Sequence, residues 1–139
     1  MTGHRDQKDQ SRTNQIRLRM LPGRYAVAQL APDAPLPDWV DGPGFTAMAR
    51  AEDELTLICL EDRVPDDVTA ERGWSCLRSV GPFAFDAAGI VRDLVTPLSD
   101  NGIGVFVCCT FDGEHLLLPS AQEQQARAQL SAAGHVFVP

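Results

Sequence analysis

The sequence predicts an α+β fold assembled from ferredoxin-like βαββαβ units, two in tandem with the first one degraded. Three observations carry this expectation. Apolar residues recur at helical spacing from Ile90 to Leu98. A short apolar, β-branched run follows from Ile103 to Cys109, and the turn signal Asp112-Gly113 separates it from a returning run at Leu116-Leu117-Leu118. A second helical stretch then closes at Gly134, ahead of a last strand at Val136 to Val138. With a strand over Trp74 to Val80 in front, residues 75–139 read strand, helix, strand, strand, helix, strand.

Each element has a local reason. Asp86 is placed to cap the first helix, its carboxylate accepting orphan N–H groups of the first turn. Ile90, Leu94 and Leu98, with Val91 and Val95 beside them, make one apolar stripe. Pro97 lies inside that pattern and predicts a bend or an early end. Asn101-Gly102 is a stop signal. The run from Ile103 to Cys109 has the character of a buried strand. Ser120 and Glu123 have capping-box spacing and open the second helix.

The first half repeats this order in reduced form. Tyr25 to Leu30 reads as a strand. Pro32, Pro35, Pro37 and Pro43 deny residues 31–43 a long helix, leaving a single turn near Leu36 to Val40. Phe45 to Arg50 and Leu55 to Leu60 form a hairpin around Glu52-Asp53-Glu54, and Val64 to Arg72 reads as loop or short helix. The expected organisation is a disordered basic tail over 1–19, a degraded unit over 20–74 and a complete unit over 75–139. The halves share no sequence identity that would prove a repeat, so the tandem reading rests on element order.

Charge separates the tail from the body. Residues 1–19 hold five basic residues against two acidic ones, a net +3, which leaves −10 for the rest of a chain whose formal charge is −7. The first fifteen residues have almost no apolar content, which predicts disorder and dispensability. They lack the apolar core of a signal peptide. No run approaches the roughly 20 apolar residues of a membrane span. A cytoplasmic protein is expected, with no membrane partner. An acidic body argues against nucleic acid as a partner, because phosphate-backbone binding needs clustered Lys or Arg.

Catalytic and metal chemistry find little support. Cys59, Cys76, Cys108 and Cys109 show no C-x-x-C spacing and no paired His, so they read as small buried thiols. Adjacent on a strand, Cys108 and Cys109 point to opposite faces. No Gly-x-Ser-x-Gly elbow occurs. Of the histidines, His4 is in the tail, His135 follows a helix-ending glycine in a structural place, and His115 reads as an edge-strand residue. Asp66-Asp67 and Glu52-Asp53-Glu54 lie in turns. Gly102-x-Gly104 follows a helix rather than preceding one, so it is no phosphate loop. No catalytic residue, metal or cofactor is expected.

Binding is what remains. The turn Asp86-Ala87-Ala88-Gly89-Ile90 presents backbone N–H groups at a helix N-terminus, where an anion such as an α-carboxylate is favoured. Gly89 permits close approach of a ligand. The residues alone leave two readings open: a ligand turn, or an Asp86 that only caps its own helix.

A family resemblance adds to this. Glu71-Arg72-Gly73-Trp74, Gly81-Pro82-Phe83, Asp86-x-x-Gly89-Ile90, Gly102-Ile103, Thr110-Phe111-Asp112 and Ala133-Gly134-His135, in that order, resemble the small tandem ACT-domain proteins of bacteria. The CASTOR arginine sensors are similar in this region. The resemblance spans roughly residues 20–139. It implies ACT-like units, a regulatory or sensor role without catalysis, a small-molecule ligand of the amino-acid class, and a homodimer. It also implies that the Asp86–Ile90 turn and the loop holding Thr110, Phe111, Asp112 and Glu114 enclose one ligand. Ala87 and Ala88 stand where related proteins carry Ser or Thr. Glu114 stands where they carry Asp, and reaches one methylene further. The alternative is a structural interaction module of the same fold that has lost its ligand.

Overall fold

The structure, a computed structural model, describes residues 14–81, 83 and 87–139. It is a mixed α+β architecture: eight strands in one sheet, with two helices on one face. The strands are β1 (Arg17–Met20), β2 (Tyr25–Leu30), β3 (Ala47–Arg50), β4 (Leu55–Leu60), β5 (Ala70–Ser79), β6 (Phe106–Cys109), β7 (Glu114–Pro119) and β8 (Val136–Phe137). Helix α1 is Ile90–Ser99 and helix α2 is Glu123–Ala132.

Strand β5 organises the sheet. Its first half pairs with β2, and its second half pairs with β1 on that same side and with β7 on the other. From there β7 pairs with β6, β2 with β4, and β4 with β3. Between Tyr25 and Val27 the register of β2 against β5 shifts. Gly73 absorbs the extra residue with φ 78°, a conformation that other residues rarely adopt.

Residues 75–139 follow the expected βαββαβ order, with one departure. β1 lies between β5 and β8, antiparallel to the first and parallel to the second. The tail expected over 1–19 therefore does not extend over 14–19. Ile16 and Leu18 are buried in the main core, which is why Arg17–Met20 is strand despite its alternating charges. Residues 1–13 lie outside the described residues. β5 also begins at Ala70, earlier than the expected Trp74, because pairing with β2 extends it.

Alternation along the strands sorts the core by face. Under the helices, Ile90, Leu94, Leu98, Ala126 and Leu130 pack on Leu18, Leu77, Leu116 and Leu118. Over β2 and β4, Ala26, Leu55 and Leu57 are covered by Trp39, Val40 and Val68, with only a single 3-10 turn at Asp38–Val40. On the opposite face Tyr25, Ile58, Cys76 and Leu117 form a third cluster, which neither α1 nor α2 covers.

Helix α1 starts at Ile90 with Gly89 at its N-cap; Asp86 lies outside the described residues. Pro97 does not end α1, which runs on to Ser99. A proline there withholds the N–H that would meet the Asp93 carbonyl, and His135 Nε2 donates to that oxygen instead at 2.8 Å. The tautomer follows, since His135 Nδ1 accepts from Ile16 N–H at 3.1 Å. The Ser120–Glu123 capping box does not form: Ser120–Gln122 is a 3-10 turn, and Glu123 accepts from Ser75 Oγ at 2.7 Å.

Candidate functional site

The chain leaves β5 at Ser79, passes Gly81 and Phe83, and enters α1 through Ala87–Gly89. The hairpin between β6 and β7 turns at Thr110–Gly113 on the same edge. Between these two loops lies a cavity of about 390 Å³. One side is Phe83, Ala87, Gly89 and the first turn Ile90, Val91 and Arg92; the other is Cys109, Thr110, Phe111, Asp112, Gly113 and Glu114.

Seven of the residues singled out from the sequence thus meet at one cavity: Ala87, Gly89, Ile90, Thr110, Phe111, Asp112 and Glu114. Ala88 does not line it, and its carbonyl accepts from Asn14 Nδ2 at 3.4 Å. Asp86 lies outside the described residues. Because the helix begins at Ile90, the orphan donors of its first turn are the N–H groups of Ile90, Val91 and Arg92; Asp93 N–H already reaches Gly89 O at 2.9 Å. They lie later in the chain than the Ala88 and Gly89 donors expected from the sequence.

The hairpin is held from below. Ser79 Oγ donates to Glu114 Oε2 at 2.8 Å and accepts from Glu114 N–H at the same distance. A Cβ on Gly113 would fall 2.6 Å from that Oγ, so only glycine lets the turn sit this close. Thr110 Oγ1 donates to Gly113 O at 3.1 Å, closing the turn. Phe111 stands well out of the surface at 81 % exposure.

The other loop is held from the N-terminus. Asp93 is buried and accepts from Asn14 N–H and Asn14 Nδ2, each at 2.7 Å, and from Arg92 Nε at 2.9 Å. Burial works against this carboxylate, but those hydrogen bonds outweigh it and hold its pKa below the ordinary value. Arg92 stays at the cavity wall with a largely exposed side chain. Asn14, inside the stretch 1–15 expected to be dispensable, thus holds a buried carboxylate.

Sequence reasoning missed Ser79, Arg92 and Asp93. Two signals were available: Asp93 is three residues from Ile90, on the flank of the apolar stripe, and Ser79 ends an apolar strand. Cys109 is exposed and Cys108 half-buried, so the buried-thiol reading holds for Cys59 and Cys76. Burial pushes the Cys76 thiol up to about 12. His115 is not on an edge, because β7 lies between β5 and β6. Among the described residues no group of three or more His, Cys, Asp or Glu is placed to hold a metal ion. No helix among them is long and apolar enough to cross a membrane.

Comparison with known proteins agrees with this architecture. Residues 69–132 match the ACT domain family, and residues 23–67 match a separate family described as an N-terminal domain. The C-terminal part of the molecule thus matches an ACT domain. The chain belongs to the same family as protein Atu0741 from Agrobacterium tumefaciens, whose crystal structure is 46% identical over 90% of this chain and 93% of that one, with a TM-score of 0.86. The same fold occurs in a Vibrio cholerae protein of unknown function described as a possible transport protein, at 18% identity, 86% and 90% coverage and a TM-score of 0.70. It also occurs in the ligand-free regulatory subunit of aspartate kinase from Thermus thermophilus, at 8% identity, 88% and 99% coverage and a TM-score of 0.58. No curated protein matches the sequence.

Proposed function

We propose that this chain is a regulatory, non-catalytic module that binds an amino acid in the cavity between the first turn of α1 and the β6–β7 hairpin. The observation that carries the reading is the meeting of two opposite kinds of group at one cavity. Orphan N–H groups of Ile90 to Arg92 and the Arg92 guanidinium suit a carboxylate. Asp112 and Glu114 suit an ammonium. The likeness to a regulatory subunit of aspartate kinase supports a regulatory role for the fold. Acidic groups outnumber the basic one at this cavity, so a ligand with a basic side chain, Arg or Lys, is favoured over Asp or Glu.

Thermal shift with the twenty amino acids tests the reading. A ligand at about 100 times its Kd adds about 2.7 kcal/mol of stability. Glu114→Ala should weaken binding by about 1.5–3 kcal/mol through a lost charge-assisted bond. Gly89→Val should block the site, since a β-branched residue at a φ of 84° strains the turn and its side chain enters the cavity that Gly89 lines. No shift with any amino acid, or equal affinity in both variants, rejects the proposal. The structural-module alternative has one observation in its favour: Thr110 and Glu114 already have internal partners. A protein that binds no amino acid yet keeps its fold is what that alternative requires.

A homodimer belongs to the same reading. Edge strands β3 and β6 present open ladders, and β6 carries the exposed Phe106. Light scattering at tens of micromolar should give a dimer mass, and a monomer there removes this part.

A further inference from the structure

On the face of the sheet opposite α1 and α2, a cavity of about 560 Å³ opens beside the third core cluster. Its volume is in the range of small-molecule sites, roughly 300–1,000 Å³. The walls are apolar: Leu21, Tyr25, Phe45 and Leu60. Two polar groups interrupt them, Arg78 and His115, which face each other across the β5–β7 register. The wall is built rather than incidental. Phe45 N–H donates to the Tyr25 hydroxyl at 3.0 Å, and the Phe45 ring stacks on His115 with centroids 3.9 Å apart and planes within 8°.

Several observations point to an occupant. His115 is only 7 % exposed, and its buried Nδ1 has no hydrogen-bond partner among the described residues. A buried polar atom left so costs about 1–3 kcal/mol, which a ligand group would recover. Arg78 donates Nε–H to Ser79 O at 3.2 Å but has no carboxylate partner among the described residues. Among the described residues no acidic side chain lines the cavity, although the body of the chain is strongly acidic. Burial and the neighbouring Arg78 push His115 down to about 4, so it is neutral at physiological pH and one positive charge remains. One cation in an apolar chamber matches one anion on an apolar tail.

We propose that this cavity is a second ligand site, for a monocarboxylate with an apolar tail, held by Arg78 with His115 and walled by Leu21, Tyr25, Phe45 and Leu60. It does not rest on the amino-acid reading of the loop cavity, with which it shares no lining residue.

Octanoate and 3-phenylpropionate are the probes, titrated calorimetrically into the full chain. Each should bind saturably, one per chain. 1-Octanol should bind the wild type at least about tenfold more weakly than octanoate, as should octanoate to Arg78→Gln, because a charge-assisted bond is lost. Arg127→Gln, on α2, should bind as the wild type does. No saturable binding of either acid overturns the proposal, as does octanol binding as tightly as octanoate. Undiminished binding by a folded Arg78→Gln overturns it too; should that variant not fold, the octanol comparison on the wild type decides. A dimer that Leu60→Glu converts to monomer, in a chain that takes up no carboxylate, assigns the face to a second copy and overturns it as well.

Discussion

Over the C-terminal half of the sheet, two helices lay Ile90, Leu94, Leu98 and Leu130 on the strands beneath. Over the N-terminal half the proline-bearing segment 31–43 does the same with Trp39 and Val40. A helix satisfies its own backbone; an irregular segment cannot, and must find donors elsewhere. Here arginines supply them. Arg63 donates Nε–H to Trp39 O at 3.1 Å, Nη1–H to Pro43 O at 2.9 Å and Nη2–H to Val40 O at 3.2 Å. Arg50 donates to the carbonyls of Pro32 and Ala34. The difference also separates the two cavities. The helical half sets the first-turn N–H groups of α1, without partners among the described residues, opposite a hairpin that carries Asp112 and Glu114. The cavity beside β2 has apolar walls and one cation.

The comparison can be broken most forcefully in the helical core. Leu94→Ala should cost about 2–5 kcal/mol, the range for deleting a fully buried leucine. Because β5 pairs with strands of both halves, unfolding should remain a single transition. Two resolved transitions in a denaturant titration would show that the halves fold separately.

The seam between the halves, where Phe45 meets His115, should respond to pH. The folded pKa of His115 is about 4 against an ordinary 6.5, so as pH falls the unfolded chain takes up its proton first. That contribution to stability is whole above pH 6.5 and is lost progressively toward pH 4, amounting to about 3 kcal/mol. His115→Phe keeps an aromatic ring against Phe45 and should flatten this part of the stability–pH curve. An unchanged slope between pH 6.5 and pH 4 in the variant would mean that the imidazole titrates freely in the folded protein.

The smallest of these effects falls in the helix-poor half. Arg63→Met should cost about 1.5–3 kcal/mol through lost charge-assisted bonds, and should speed proteolysis within residues 31–43. A loss below about 0.5 kcal/mol, the scale of an ordinary surface change, would mean that Trp39 packing alone holds the segment.

How legible each feature was depends on how local its cause is. The stripe Ile90, Leu94, Leu98 announced α1 because helical spacing is a property of neighbours. The prolines of 31–43 excluded a long helix for an equally local reason. β1 was hidden because Arg17-Leu18-Arg19 resembles the charged tail before it, and its strand state comes from β5 and β8, far along the chain. At the loop cavity, Gly89, Thr110 and Glu114 were visible as turn residues in a family pattern. Ser79 and Asn14 were not, because what marks them is a partner 35 or 79 residues away.

The sequence by itself determined the order of elements after residue 20, the loss of the first helix, and the two loops that line one cavity. Periodicity, proline geometry and turn chemistry act over a few residues and need no tertiary context. Only the tertiary structure decided that β1 enters the sheet between β5 and β8. The same holds for α1 running past Pro97, because His135 takes the Asp93 carbonyl that proline leaves unpaired. Asp93 can likewise stay charged inside the fold because Asn14 and Arg92 surround it. In each case a buried polar or apolar group is satisfied by a residue distant in sequence, and that pairing exists only once the chain has folded.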